Sequence, residues 1–137
     1  MDSKGRINIP AKYRPAESAL GGDDNELVIT RGTDHNLVIF PLEEWRRIND
    51  EIDRSNRDGK EKRRLKRQIN FFASLQKIDK QGRLNIPADL IEYAGLEKEV
   101  VVLGTGRKIE VWNPDRILQD IESSQEELGA VTDSLDF

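Results

Sequence analysis

The sequence predicts a mixed β/α fold in which two tandem β units with short flanking helices share one core. Three observations lead there. Asp2-Ser-Lys-Gly-Arg6-Ile-Asn-Ile-Pro10-Ala11 returns 77 residues later as Asp79-Lys-Gln-Gly-Arg83-Leu-Asn-Ile-Pro87-Ala88, with seven of ten positions identical. After each copy come two apolar, β-branched runs separated by a turn, and then a Pro-led helical pattern. Finally, a unit of roughly 60–70 residues buries only about 60% of its unfolded surface and is marginal alone. Two equivalent Gly-Arg loops related by internal pseudo-symmetry suit a repetitive polymer such as DNA better than a single catalytic pocket.

The second unit is the easier to follow. Phe71–Ile78 reads as a strand entering the Asp79–Arg83 loop, and Leu84–Ile86 as a short alternating strand. Pro87 sits where the first helical turn does not need its missing N–H. Ala88–Ala94 is then a short helix stopped by Gly95. Val100–Leu103 is expected to be a buried strand, joined through Gly104-Thr-Gly106-Arg107 to its partner Ile109–Trp112. Pro114 opens a last helix whose apolar face is Ile117, Leu118, Ile121 and Leu128.

The first unit follows the same order. Ile7–Ile9 is a strand, Pro10 opens a helix, and Gly21-Gly-Asp-Asp-Asn25 is a loop. Leu27–Thr30 and Leu37–Phe40 are strands about a Gly32–Asn36 turn, and Pro41 starts a helix carrying Leu42, Trp45, Ile48 and Ile52. Aligning Phe40 with Trp112 leaves five extra residues in the first unit, placed most simply in the Gly-Gly-Asp-Asp-Asn loop. A polar turn, Ser55–Gly59, leads into a basic helix, Lys60–Phe72, with Leu65, Ile69 and Phe72 on one face. The strand at Phe71–Ile78 has no counterpart ahead of Asp2, so the first unit is expected either to lack its entering strand or to receive one from another chain.

Charge is segregated along the chain. The 137 residues carry a formal charge of −4, mean hydropathy is −0.69, and no run approaches a membrane span of roughly 20 apolar residues. Between Arg54 and Arg67, however, eight Lys/Arg face only Asp58 and Glu61, whereas Asp115–Phe137 has seven acids against Arg116. Local potential governs binding more than total charge does, so the acidic total does not exclude nucleic acid. The absence of cysteine removes disulfides and thiolate metal sites and fits an intracellular, cytoplasmic location.

In the repeated loops, Gly5 and Gly82 permit tight turns with positive φ, from which Arg6 and Arg83 emerge. A guanidinium held there offers a planar fork of donors suited to phosphate or to the O6/N7 edge of guanine. Asp2 and Asp79 can accept loop N–H bonds and stiffen the turn. Alternatively, each Asp pairs with its own Arg purely as a structural clasp. Lys4 and Lys80 add positive charge to the loops. Lys12 and Arg14 on the first short helix reach toward flanking phosphates or simply face solvent, and Asp89 and Ile91 stand at the equivalent places. The Arg54–Arg67 run is either a DNA-facing arm or a solvated helix face. His35 is the sole histidine and sits in a turn, so no metal set is expected. Gly104-Thr-Gly106 lies between strands, where a dinucleotide loop would lead into a helix. No cofactor, small-molecule substrate or catalytic residue is expected, and Trp45 and Trp112 are taken as core or interface anchors.

At these residues the chain resembles the MraZ family, bacterial regulators built from two tandem SpoVT/AbrB-like repeats. The resemblance covers nearly the whole chain: Asp2-x-Lys-Gly-Arg-x-x-Ile-Pro-Ala-Lys-Tyr-Arg14, Thr30-Arg-Gly-x-Asp34-x-x-Leu37, Phe40-Pro-x-x-Glu-Trp45, Asp79-Lys-Gln-Gly-Arg-Leu-x-Ile-Pro87 and Tyr93-Ala-Gly-Leu-x-Lys-Glu-Val-Val-Val102. It implies two AbrB-like swapped-hairpin β units forming a pseudo-dimeric, barrel-like core with short flanking helices. Residues 1–53 would be the first repeat with its trailing helix, 54–70 a basic linker helix, 71–117 the second repeat, and 118–137 a C-terminal helix and acidic tail. The family also implies a ring-like homo-oligomer, nucleoid association, and control of the cell division and cell wall gene cluster through promoter repeats in double-stranded DNA. Carried over by position, Lys4, Arg6, Lys80 and Arg83 become DNA contacts, joined by Arg14 on the following helix and Lys77 ahead of the loop. Ile91 departs from the pattern where Arg14 follows it. A protein–protein assembly module with incidental DNA affinity is the alternative, motivated by the acidic C-terminal segment.

Overall fold

The computed structural model describes residues 1–13 and 26–137. Strand β1 (Arg6–Asn8) is followed by a single 3-10 turn at Ala11–Tyr13. The expected Gly-Gly-Asp-Asp-Asn loop, and any continuation of the first short helix, fall outside the described residues. Next come β2 (Glu26–Arg31), β3 (Leu37–Pro41), α1 (Leu42–Arg54) and α2 (Gly59–Phe71). The second half contains β4 (Ser74–Lys77), β5 (Arg83–Asn85), α3 (Ala88–Ala94), β6 (Val101–Gly104), β7 (Ile109–Trp112) and α4 (Pro114–Ser134).

Local chemistry explains the boundaries. Asp58 accepts a hydrogen bond from the Glu61 N–H at 2.8 Å and caps α2. Asn113 caps α4 through the Asp115 N–H, with Pro114 in its first turn. α3 ends at Gly95, whose φ of +62° allows the Leu96 N–H to reach back to the Ile91 carbonyl. Phe71 ends α2 rather than beginning a strand, so the entering strand is shorter than the sequence suggested.

The strands form two antiparallel sheets, a β1–β5 ribbon and a five-stranded sheet ordered β4-β2-β3-β7-β6. Both cross the boundary between the units with a symmetric register. In the ribbon, Arg6 faces Asn85, Ile7 faces Leu84, and Asn8 faces Arg83; a shift of 77 residues maps that set of pairs onto itself. Where β3 meets β7, Leu37 faces Val111 and Ile39 faces Ile109, a set that a shift of 72 maps onto itself. The ladder stops at β4 and β6, so the described strands form an open sheet and close no barrel.

Buried residues of both units form one cluster, with Ile7, Ile9, Leu27, Ile29, Leu37 and Ile39 from the first and Leu84, Ile86, Leu90, Ile109 and Val111 from the second. The shared core is therefore real. One expectation of burial fails. β6 is only partly covered and Leu103 is exposed, because β6 is a sheet edge and not a central strand. In α4 only Ile117 of the apolar face is buried, and Leu118, Ile121 and Leu128 are exposed.

Candidate nucleic-acid interface

The two Asp-x-x-x-Arg loops have the same geometry. Asp2 Oδ1 accepts the Lys4 and Arg6 backbone N–H groups, each at 2.9 Å, while Oδ2 accepts Arg6 Nε at 2.8 Å. Asp79 does the same with the Gln81 and Arg83 N–H groups at 2.9 Å and Arg83 Nε at 2.8 Å. Gly5 at φ +75° and Gly82 at φ +80° provide the left-handed bend that closes each loop. Hydrogen bonds from the Arg backbone N–H, then from the Arg side chain and a second amide, hold both carboxyls below their ordinary pKa.

The clasp therefore exists, and it leaves the arginines available. It occupies Nε alone; among the described residues no partner engages the terminal nitrogens of Arg6 or Arg83, and both side chains are partly exposed. One edge of each guanidinium is anchored and the outer edge is presented. An arginine pinned this way loses less rotamer freedom on binding than a mobile one.

The ribbon brings the loops together. The Ile9 N–H donates to the Gly82 carbonyl and the Ile86 N–H to the Gly5 carbonyl, both at 2.9 Å, so each loop is tied to the strand leaving the other. Ile7 and Leu84 point into the core, which turns Arg6, Asn8, Arg83 and Asn85 to the opposite face. Arg6, Asn8 and Arg83 line one open cleft, together with Asp2, Lys98 and Glu99. Asn8 and Asn85 were missed as candidate site residues. The available signal was their identity in both repeat copies, one alternation away from each arginine.

The remaining nominated residues separate. Lys4 and Lys80 are exposed on the loops. Lys77, at the end of β4, lies 3.8 Å from Glu26, a weak and exposed pair. Arg14 lies outside the described residues. Ile91 does not stand idle where a cation was expected: a Cβ on Gly5 would meet Ile91 Cδ1 at 3.2 Å, so this side chain closes over the first loop from the second unit. In the Arg54–Arg67 run, Arg57 lies near Glu61, while Lys66 pairs with Asp53, as does Lys62 through the Asp53 carbonyl. His35 occupies a turn at φ +57°, and the described residues contain no cluster of metal-type ligands. No helix among them is long and apolar enough to cross a membrane.

The family model for MraZ protein matches residues 1–68 and 72–134. The chain belongs to the MraZ family. A protein of Halothermothrix orenii is 41% identical over 138 residues, covering 98% of this chain and 92% of the relative. One from Limosilactobacillus fermentum is 39% identical over 140 residues, covering 100% and 94%. A third, from Natranaerobius thermophilus, is 36% identical over 131 residues, covering 93% and 87%. All three carry the name transcriptional regulator MraZ. Each of the two matched stretches carries one copy of the loop sequence, and the ribbon face is where the two copies meet.

Proposed function

We propose that this MraZ-family chain is a DNA-binding transcriptional regulator with no catalytic role, acting on promoter repeats ahead of the cell division and cell wall gene cluster. One observation carries the reading: two clasped arginines whose outer edges meet no partner among the described residues, on one face of a two-stranded ribbon. A ribbon of this width enters the major groove. Arg6 and Arg83 are diagonal neighbours across it, about 7–8 Å apart, close to two base-pair steps of about 3.4 Å each. Each outer guanidinium edge suits phosphate or guanine O6/N7, and the amides of Asn8 and Asn85 suit adenine N6/N7. Lys4 and Lys80 supply salt-dependent phosphate contacts, with Lys77 and Arg14 as further candidates.

The same reading includes the AbrB-like swapped-hairpin arrangement, which the β1–β5 and β3–β7 pairings support, and a ring-like homo-oligomer in a cytoplasmic, nucleoid-associated setting. Serial copies of the ribbon would engage repeated DNA boxes at high effective concentration. The test is a mobility-shift titration against a duplex carrying the promoter repeats. Arg6→Ala and Arg83→Ala should each weaken binding by about 1–3 kcal/mol if the contact is bidentate to a base. Unchanged affinity in both, with folding intact, returns the loops to a purely structural clasp.

The outward apolar face of the acidic α4 favours a second reading, a protein–protein assembly module with incidental DNA affinity. Specific affinity for promoter DNA that falls steeply with added salt speaks against it.

A further inference from the structure

The five-stranded sheet has a second face, opposite the shared core. Its register sets Thr30 beside Val38 and Val38 beside Glu110, in one row across β2, β3 and β7. Together with Phe40, with Trp45 and Ile48 of α1, and with Ile69 of α2, this row lines a cleft of about 480 Å³. That volume falls within the range of about 300–1,000 Å³ typical of small-ligand sites.

Four charged side chains line the same cleft, Arg31 and Lys108 against Asp34 and Glu110. Their charges cancel in sum, yet none of the four lies within ion-pair distance of an opposite charge among the described residues. Arg31 is pinned with its guanidinium carbon 3.6 Å from the centre of the Phe72 ring and 4.4 Å from that of Tyr93. Glu110 is fixed through one oxygen: its Oε1 accepts the Asn36 side-chain amide at 3.0 Å and the Trp112 indole N–H at 2.9 Å. Its Oε2 accepts from no described residue. Two strand spacings of about 4.8 Å separate Thr30 from Glu110, so Arg31, the next residue along β2, is rooted about 10 Å from this carboxylate.

A cation and an anion that are partly desolvated but kept apart bear the cost of leaving water without the gain of contact. A bare anion entering the cleft would meet Asp34 and Glu110, and a bare cation would meet Arg31 and Lys108. A ligand carrying both signs satisfies both ends, and the aromatic and aliphatic walls add a requirement for apolar side chains.

We propose that this cleft binds an apolar dipeptide with free amino and carboxyl ends. The carboxylate would lie on the in-plane donors of Arg31, toward Lys108, and the ammonium on Glu110 Oε2, toward Asp34. The side chains would rest against Trp45 and Ile69. An extended dipeptide, about 7 Å long, is short enough to lie between groups rooted that far apart. The inference goes beyond the DNA reading and does not depend on it, since no residue of the cleft belongs to the arginine ribbon.

The test is isothermal titration calorimetry of the full chain with L-leucyl-L-phenylalanine. The N-acetylated form lacks the ammonium and the C-terminal amide lacks the carboxylate, so each should bind about tenfold or more weakly. Arg31→Gln should lower affinity for the free dipeptide on the order of tenfold and leave that for the amide unchanged. Glu110→Gln should do the same with the acetylated form left unchanged, because each variant then removes a contact that the blocked ligand already lacks. Circular dichroism checks the fold of both variants, and the three ligand forms on the native chain decide the matter if either variant fails to fold. No binding of the dipeptide by the native chain, or equal binding of its three forms, overturns the proposal. So does a folded variant that weakens all three forms by the same factor.

Discussion

Replacing Leu84 by alanine tests whether the two repeats form one cooperative unit. Leu84 is 0% exposed and faces Ile7, 2% exposed, across the ribbon, so both sit beneath the arginine face. Removing three buried carbons forfeits about 2.4 kcal/mol of transfer free energy at about 0.8 kcal/mol each. A cavity that relaxes only partly raises this to about 3–4 kcal/mol. Against a typical total of about 5–15 kcal/mol, that is a large share. For a chain of this length Tm should fall by about 9–20 °C, taking about 3–5 °C per kcal/mol. Ile7→Ala, from the other repeat, should cost a similar amount. Because the two side chains share one site, the double variant should depart from additivity by about 0.5–3 kcal/mol. The assay is calorimetry at fixed protein concentration, with a urea titration to check that the m-value is unchanged. Two separate transitions, with Ile7→Ala moving one and Leu84→Ala the other, would refute the shared core. So would a fall in Tm below about 3 °C.

Asn8→Ala and Asn85→Ala should each weaken promoter binding by about 1–3 kcal/mol if the amide reads adenine, while Tm stays put; equal affinity for all duplexes would remove them from the interface. Acidification should open both loops. Asp2 and Asp79 have folded pKa values below their unfolded ones, so their contribution is complete above about pH 4 and is lost as pH falls through the lower folded values. Amide shifts of Arg6 and Arg83 followed by NMR should titrate with midpoints below the ordinary aspartate value, and a midpoint at or above it contradicts the clasp. Gly104→Ala should destabilise by about 1–3 kcal/mol, because its Cβ would lie 2.4 Å from the Tyr13 ring; chemical denaturation reads this directly, and a neutral result would mean that Tyr13 moves freely.

Much of the site was legible because its chemistry is local. The Asp-x-x-x-Arg turns, the Gly95 stop and the Asn113-Pro114 start each depend on contacts within about five residues. The readings that failed depended on neighbours distant in sequence. Val100–Leu103 has the composition of a buried strand, yet it lies at the sheet edge, where composition alone gives no warning. Ile91 looked like a lost cation until the first loop proved to lie beneath it. The apolar face of α4 has helical spacing, and spacing alone does not say which of its residues are covered.

From the sequence alone came the duplication, the identity of the two turns, the order of the elements and the residues able to grip an anion. These follow from short-range sterics and hydrogen bonding, which a linear string encodes directly. Only the tertiary structure decided that the two turns lie side by side, that Asn8 and Asn85 share their face, and that Arg31 lies against the Phe72 and Tyr93 rings. Those facts rest on strand pairings that join positions some 77 residues apart. Such pairings are chosen by which apolar faces can be buried together.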